Sequence, residues 1–469
     1  MTMQTEPTSP PPTARFRPVA VVDVELTEQL PDIVPPENGP PWRAALIVGR
    51  VHGVPVGQVE LPLPEDGSIS AHLRPALDAA LGAAALQHMT GDAEIAACKP
   101  EAADRTTTAS TSGQEPPCAA QRRRALQDAP MLSVIVPTRD RPEQILACVR
   151  SILACEYPLD RFEVLVVDNV PRDGRTRAAV TTLAESGPVH YFIEDQPGSA
   201  SARNRALPEA RGEFLVFTDD DAIVDRHWLA EVAQGFRAAP RVDAVSGLLV
   251  PRRLDTPARV WFEQYGGFSR GYTQRTFDLH ENRPADEALY PFTAGLFGTG
   301  NNMAFRGEAL RAIGGFDPAL GNGTPALGGV DSEVLLRAVI LGHRVVYRPN
   351  ALVWHDHRAD YADLRRQVYS YGAGLTAYLL KTVTTNPIVL PAFLALVPKG
   401  IGFALRPGSA KNSHKADNYP RDLTRAELRG MLHGPLAYLN SRRMYGRHRV
   451  PRAAARDWII PRAWSTHRG

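Results

Sequence analysis

Phe214-Leu215-Val216-Phe217-Thr218-Asp219-Asp220-Asp221 is an apolar run that ends in three consecutive carboxylates. Four apolar residues in succession suit a strand covered on both faces, the pattern of a parallel sheet between helices. Adjacent carboxylates raise one another's pKa unless a cation neutralises them. A hard divalent ion with oxygen ligands does so and keeps positions open for a substrate diphosphate. A solvated acidic turn capping a helix near Arg226-His227-Trp228 carries the same letters. The motif alone leaves both readings open.

Its neighbours repeat the pattern. Leu132–Pro137 (LSVIVP) and Phe162–Val167 (FEVLVV) are continuous apolar strands, and Val189–Ile193 is another. Glu143–Ala154 has helical periodicity, and an Ala/Arg-rich helix precedes Phe214. Strand and helix in alternation imply parallel strands with right-handed crossovers. Polar residues follow the strands: Thr138-Arg139-Asp140, Asp168-Asn169 and Asp219-Asp220-Asp221. Ligands of open α/β sheets bind outside such strand ends, so three clusters point to one site.

Further out lie the loops. Pro197-Gly198-Ser199-Ala200-Ser201-Ala202-Arg203-Asn204 leads a Gly/Ser-rich turn into a helix bearing arginine. Helix N-termini and guanidinium groups both suit phosphate, although a surface helix with a glycine N-cap reads the same. Gly298-Thr299-Gly300-Asn301-Asn302 and Ile313-Gly314-Gly315-Phe316-Asp317-Pro318 allow tight turns beside a ligand. Gly328-Gly329-Val330-Asp331-Ser332-Glu333 places carboxylates at the head of an amphipathic helix. They complement the helix dipole, or one is a general base.

The ordered set LSVIVPTRDRP, VLVVDN, PGSASARNRA, FLVFTDDDA, GTGNNMAFR, IGGFDP, VDSEVLLRAVILGHRVVY and VWHDH resembles glycosyltransferase family 2. The resemblance spans roughly Met131 to His357. It implies an inverting, nucleotide-sugar-dependent enzyme with the α/β GT-A fold, a Rossmann-like, mostly parallel central sheet with flanking helices. By the same resemblance Asp168 recognises the base, and Pro137, Thr138 and Arg139 line its pocket. Arg203 and Asn204 face the nucleotide and phosphates. Asp219, Asp220 and Asp221 match the D-x-D region, with Asp219, Asp221 and a late histidine, His355, as ligands of Mg²⁺ or Mn²⁺; His357 is the second candidate. Asp331 matches the catalytic base of the family's E-D-x-D helix, where this chain departs with Val330 and Glu333. Acceptor contacts are expected at Gly300, Asn301, Asn302 and Trp261, with core aromatics the alternative around 261–265. The Q-x-x-R-W element of processive members is missing, which favours single transfers.

The rest of the chain sets the context. Its 469 residues carry a formal charge of +2, distributed unevenly. Residues 1–130 are net −6, 131–405 net −2 and 406–469 net +10. Residues 1–17 are polar and Pro-rich and are expected to be disordered. Residues 18–98 are expected to form a small α+β accessory domain, with a hairpin around His52-Gly53 and a helix over 71–88. Residues 99–130 read as a linker, 131–357 as the catalytic domain and 358–469 as a helical, basic C-terminal region. Cys98, Cys118, Cys148 and Cys155 form no C-x-x-C pair. A disulfide scaffold or zinc ribbon is not expected, and a reducing cytoplasm fits. The N-terminus has no signal-peptide pattern.

Leu375–Leu405 is apolar but interrupted by Pro387, Pro391 and Pro398, against a clean transmembrane span. A broken helical pair is expected, with peripheral contact to the inner face of the membrane through 375–469 as the sharper reading. An apolar segment followed by a basic tail is a two-signal arrangement for an anionic surface. A nucleic-acid partner is not expected, since the tail shows no recognition fold. The expected partners are a nucleotide-sugar donor, by family lean a UDP-sugar, and a glycan, lipid-linked or small-molecule acceptor. Two other classes stay open: a nucleotidyltransferase that makes nucleotide sugars, and a non-catalytic nucleotide-sugar-binding protein.

Overall fold

A computed structural model describes residues 16, 18–33, 41–63, 70–97 and 115–453, except 186, 294 and 417. Expectations for 1–15, for 98–114 with Cys98, and for 454–469 of the basic C-terminal region lie outside the described residues.

β1 (Val19–Glu25), β2 (Ala44–Val51) and β3 (Val54–Pro62) form a sheet in that order. β2 and β3 are the expected hairpin. His52 and Gly53, at φ 55° and 77°, are both left-handed, as a two-residue turn between twisted strands requires. β1 lies parallel to β2. α1 (Ser70–Ala97) covers this sheet with Leu73, Leu77, Leu81 and Ala85, one residue per turn. Within the expected linker, residues 117–125 are instead helical. This helix, α2 (Pro117–Ala125), starts with proline in its first turn, and Arg122 ties it down to Glu231 at 2.9 Å.

The remaining strands form one nine-stranded sheet: β4 (Leu132–Thr138), β5 (Phe162–Asn169), β6 (Val189–Glu194), β7 (Phe214–Phe217), β8 (Ala222–Val224), β9 (Val242–Pro251), β10 (Arg275–Phe277), β11 (Met303–Arg306) and β12 (Arg344–His355). Their order is β10-β12-β9-β11-β7-β4-β5-β6, with β8 paired to the end of β12. β6, β5, β4 and β7 are mutually parallel, as expected. β11 runs antiparallel between β7 and β9, so the whole sheet is mixed.

The parallel half is buried on both faces. Ile135, Leu165, Val167, Leu215 and Phe217 enter one core; Val134, Val136, Val164, Val166 and Val216 enter the other. Two-residue alternation sends neighbours to opposite faces, which explains the unbroken apolar runs. The helices are α3 (Pro142–Leu153), α4 (Arg175–Ala184), α5 (Ser199–Ala206), α6 (Trp228–Gly235), α7 (Pro257–Tyr265), α8 (Gly307–Ala312), α9 (Val330–Ile340), α10 (Tyr361–Thr385), α11 (Leu390–Leu405) and α12 (Arg421–Tyr445).

The C-terminal region divides. α10 packs along α12, where Gly372, Gly430 and Gly434 let the backbones approach. α11 does not pack this way. Pro387–Leu405 is long and apolar enough to cross a membrane by length and composition, and 11 % of it is buried. The helix continues through Pro398, so that proline does not interrupt it; the break in the pair falls at Asn386-Pro387. Leu394, Ile401 and Leu405 are exposed on α11, and Leu432 and Leu436 on α12.

Candidate active site

β4, β5 and β7 run parallel, so they end on the same side of the sheet. Thr138 and Asp168 close β4 and β5, and Asp219 to Asp221 follow β7. Asp220 is buried. It accepts hydrogen bonds from Thr138 Oγ1 and Arg141 Nη1, both at 2.8 Å. Burial, reinforced by Asp221, pushes its pKa up to about 6, against the pull of Arg141 and Thr138.

Asp221 meets more positive charge. His355 Nε2 lies 3.4 Å from Oδ1, and Arg141 and Arg358 each bring a nitrogen to 3.5 Å from Oδ2. Burial opposes its charge, yet His355 and the two arginines outweigh burial and hold the carboxyl well below the usual range. Asp221 Oδ1 is buried and takes no hydrogen bond among the described residues. Asp219 is turned to Arg203, whose Nη2 donates to it at 2.9 Å, and burial raises its pKa. The three expected metal ligands therefore divide: Asp221 faces His355, and Asp219 faces arginine.

His355 is held in place. Its Nδ1 lies 3.0 Å from His357 Nδ1, and His357 Nε2 lies 2.7 Å from Glu263 Oε1. Glu263 thus orients His357, and His357 orients His355 with Nε2 toward Asp221. Burial lowers the His357 pKa, which favours the neutral ring that such a chain uses.

Asp331 opens α9. Gly300 donates its N–H to Asp331 Oδ2 at 2.8 Å. A Cβ at Gly300 would lie 3.0 Å from Arg203 Nη2 and 3.1 Å from Asp331 Cβ. A side chain at this position would press on both. Asp331, Gly300, Arg203 and Asp219 thus share one wall. Asn301, half-buried, follows on the same loop.

Asp168 is buried and accepts from Tyr191 Oη at 2.8 Å. Burial raises its pKa, and its Oδ1 has no hydrogen-bond partner among the described residues. Pro137 is half-buried between Val136 and Thr138. Arg139 is about half exposed, 3.9 Å from Asp140.

Three expected site residues do other work. Asn204 bonds the Phe316 backbone twice, from Nδ2 to the carbonyl at 2.8 Å and from the Phe316 N–H to Oδ1 at 2.9 Å. It faces away from Arg203 because successive helical residues point about 100° apart. Asn302 is buried: Nδ2 donates to Leu248 and Ala351 carbonyls at 3.0 and 2.7 Å, and Oδ1 accepts from Trp228 at 2.9 Å. It clamps β9 to β12. Trp261 is buried among Phe262, Leu364 and Val368, edge-on to Tyr361. In this structure these side chains make packing contacts. Glu333 is likewise buried, with Lys381 Nζ at 2.5 Å and Arg337 Nη2 at 3.0 Å. Arg141, Arg358 and Tyr191 were not anticipated, nor was the pairing of Glu263 with His357, although Arg141 and Arg358 lie inside or beside the quoted TRDRP and HDH text.

An acidic cleft outside parallel strand ends, with an arginine and a helix-borne carboxylate on one wall, defines an α/β enzyme for a phosphorylated donor. Residues 129–369, just over half the chain, match the family described as Glycosyltransferase like family 2. The protein belongs to this family and is a glycosyltransferase of the GT-A fold. Glycosyltransferase AglE of Haloferax volcanii is 25 % identical over 280 residues, 59 % of this chain and 83 % of that protein. The pre-mycofactocin glycosyltransferase of Mycobacterium tuberculosis is 26 % identical over 287 residues, 58 % of this chain and 53 % of its own length. The chain thus spans about half of that second relative. Among solved structures, a mannosyltransferase from Pyrobaculum calidifontis in complex with GDP-Man and Mn²⁺ superposes with a TM-score of 0.44 at 21 % identity, over 77 % of this chain and 97 % of that one. Membership in this family selects a sugar transferase over a nucleotidyltransferase or a non-catalytic binder.

Proposed function

We propose that this protein transfers a single sugar, with inversion, from a nucleotide-sugar donor to a hydroxyl of a glycan, lipid-linked or small-molecule acceptor, with a divalent metal. The observation that carries the reading is the wall formed by Asp331, Gly300, Arg203 and Asp219. The Gly300 N–H fixes one oxygen of Asp331, which leaves the carboxylate aimed as a base for the acceptor hydroxyl. Arg203, buried on α5, is placed for the leaving diphosphate. The donor base is assigned to Asp168, with Pro137, Thr138 and Arg139 beside it, and the donor is assigned as a UDP-sugar.

The metal fits the residues present. Asp221 Oδ1 is buried and without a hydrogen bond, with an oriented imidazole nitrogen beside it. Asp221, His355 and a reoriented Asp219 would hold Mg²⁺ or Mn²⁺, and the bound ion supplies positive charge against the diphosphate. Asp331→Asn is expected to reduce transfer on the order of 10³-fold while donor binding, followed by calorimetry, persists. Near-normal turnover would remove Asp331 as base. Activity unaffected by excess EDTA would remove the metal.

The domain division is proposed as read from sequence, with α2 joined to the accessory unit. The proposed location is the cytoplasm, peripheral at the membrane's inner face. Exposed leucines and isoleucine on α11 and α12, together with the exposed Arg425, Arg429 and Arg443 of α12, support that contact. A truncation at 374 would cut α10 inside its packing against α12, so substitution is the better test. Leu394→Glu with Ile401→Glu is expected to abolish flotation with anionic liposomes; unchanged flotation would exclude the membrane role for this face.

A further inference from the structure

Apart from the cleft residues, four side chains converge in the accessory unit and α2: His52, His88, Asp92 and Cys118. Their candidate ligand atoms all lie within 4.8 Å of one another. His52 stands on the β2–β3 turn, His88 and Asp92 lie one turn apart on α1, and Cys118 is in the first turn of α2. His52 Nδ1 is 2.9 Å from Asp92 Oδ2 and 3.6 Å from Cys118 Sγ. His88 Nε2 is 3.5 Å from the same Asp92 oxygen.

A hydrogen-bond network explains this arrangement poorly. The thiol and the carboxylate both approach Nδ1 of His52. A Cys-His-Asp proton relay places them on opposite ring nitrogens, so this is not an activated nucleophile. His88 Nε2 is buried and has no hydrogen-bond partner among the described residues. These atoms suit the corners of a coordination shell. Tetrahedral zinc, with bonds of about 2.0–2.3 Å, sets its ligand atoms roughly 3.3–3.8 Å apart. The observed 2.9, 3.5 and 3.6 Å lie around that range.

We infer that His52, His88, Asp92 and Cys118 form a structural Zn²⁺ site. A thiolate beside two imidazoles selects zinc over Mg²⁺ or Mn²⁺, which prefer oxygen. Four protein ligands leave no open position, so the ion is structural. Coordination releases the Cys118 proton to solvent. The resulting thiolate and carboxylate, with two neutral imidazoles, then balance the ion's charge. The turn is already braced, because Glu25 accepts the backbone N–H of His52 at 3.1 Å and of Gly53 at 2.9 Å. Nearby cations are compensated: Arg122 pairs with Glu231 at 2.9 Å and His227 with Glu156 at 3.1 Å. The ion would tie the hairpin, α1 and α2 together where this unit meets the catalytic domain. That joint also carries Arg50 on Asp225 at 2.7 Å.

The test is metal analysis of the full-length, tag-free protein after passage over a chelating resin. About one zinc per chain is expected, retained in Asp221→Asn and lost severalfold in His88→Ala and Cys118→Ser. Cobalt substitution separates this site from the cleft, whose proposed ligands Asp219, Asp221 and His355 include no sulfur. Wild type should give a thiolate-to-cobalt charge-transfer band, absent from Cys118→Ser. If those variants do not fold, the wild-type cobalt spectrum decides alone. Zinc-free wild type, a cobalt spectrum without the sulfur band, or undiminished zinc in both variants would each overturn the site.

Discussion

Two of the molecule's carboxylate–cation clusters lie on either side of Asp331, and they are built for opposite ends. In the cleft, Asp220 and Asp221 face Arg141 and Arg358, whose side chains are 36 % and 37 % exposed. Behind it, Glu333 meets Arg337 and Lys381, with Lys381 also 3.4 Å from Asp317; the Glu333 and Lys381 side chains are 2 % and 1 % exposed. His448 closes that second cluster, with Nδ1 at 3.4 Å from Lys381 and Nε2 at 2.6 Å from the Gly314 carbonyl. A half-exposed arginine can swing away and give up its carboxylate to another cation. A sealed lysine cannot leave without stranding a buried charge. The first cluster holds exchangeable charge; the second is a staple between α9, α10 and the chain after α12. Asp331 and Glu333, two residues apart on α9, fall on opposite sides of that division.

Asp221→Asn tests the exchangeable cluster and should have the largest effect. Transfer is expected to fall on the order of 10³-fold, since the ion's charge stabilisation is worth several kcal/mol. The melting temperature should fall modestly, because the variant loses a carboxylate that His355, Arg141 and Arg358 hold in its charged form. A stable variant with normal, metal-dependent transfer would erase the functional contrast between the clusters.

How far this contrast can be read from sequence differs by residue. Thr138, Asp168 and Asp219 to Asp221 were legible because each follows a continuous apolar strand, and strand ends in such sheets collect ligands. The position of Asp331 at the head of α9 was legible by its place in the family's motif order. Asn204, Asn302 and Trp261 were not, because their roles depend on partners distant in sequence: Phe316, Ala351 and Tyr361. Periodicity tells which residues share a helix, not which carbonyl an amide finds. The parallel half of the sheet was visible in its apolar runs. The antiparallel insertion of β11, only four residues long, was not. Nothing in spacing joins His52 to Cys118, 66 residues away.

Lys381→Met tests the staple. Removing one partner from a buried ion pair costs about 3–5 kcal/mol, because the other charge stays behind. Chemical denaturation should show a loss of that size, while transfer per folded molecule changes little. A loss of transfer without a loss of stability would move Lys381 into the catalytic machinery and merge the two clusters.

The staple also has a pH signature. Burial disfavours the Glu333 charge, but Arg337 and Lys381 outweigh it and set the pKa at about 2. A carboxylate with a depressed folded-state pKa contributes stability above its unfolded value, near 4.3, and loses it as pH falls toward 2. This contribution is at most about 3 kcal/mol. Burial also opposes the charge on Lys381 and lowers its pKa, so the net stabilisation is smaller. Glu333→Gln should therefore flatten the acid limb of stability between about pH 4.3 and 2. An unchanged acid limb would mean that the pair contributes no pH-dependent stability.

The smallest effect is expected at Arg358, and it separates two uses of the same charge. Its pairing with Asp221 spans 3.5 Å and is partly solvated, so loss of the ion pair should cost no more than about 1 kcal/mol. As a stand-in counter-ion, Arg358 competes with the metal for Asp221. Arg358→Gln then lowers the Mn²⁺ concentration needed for half-maximal transfer by a few fold and leaves the donor KM near its original value. As a diphosphate ligand, Arg358 acts on the donor instead. The same substitution then raises the donor KM and leaves the metal midpoint in place. The arginine's exposure and its contact with Asp221 favour the first outcome. Titrating both metal and donor with this one variant would show whether the open cluster is loose because it exchanges cations or because it waits for phosphate.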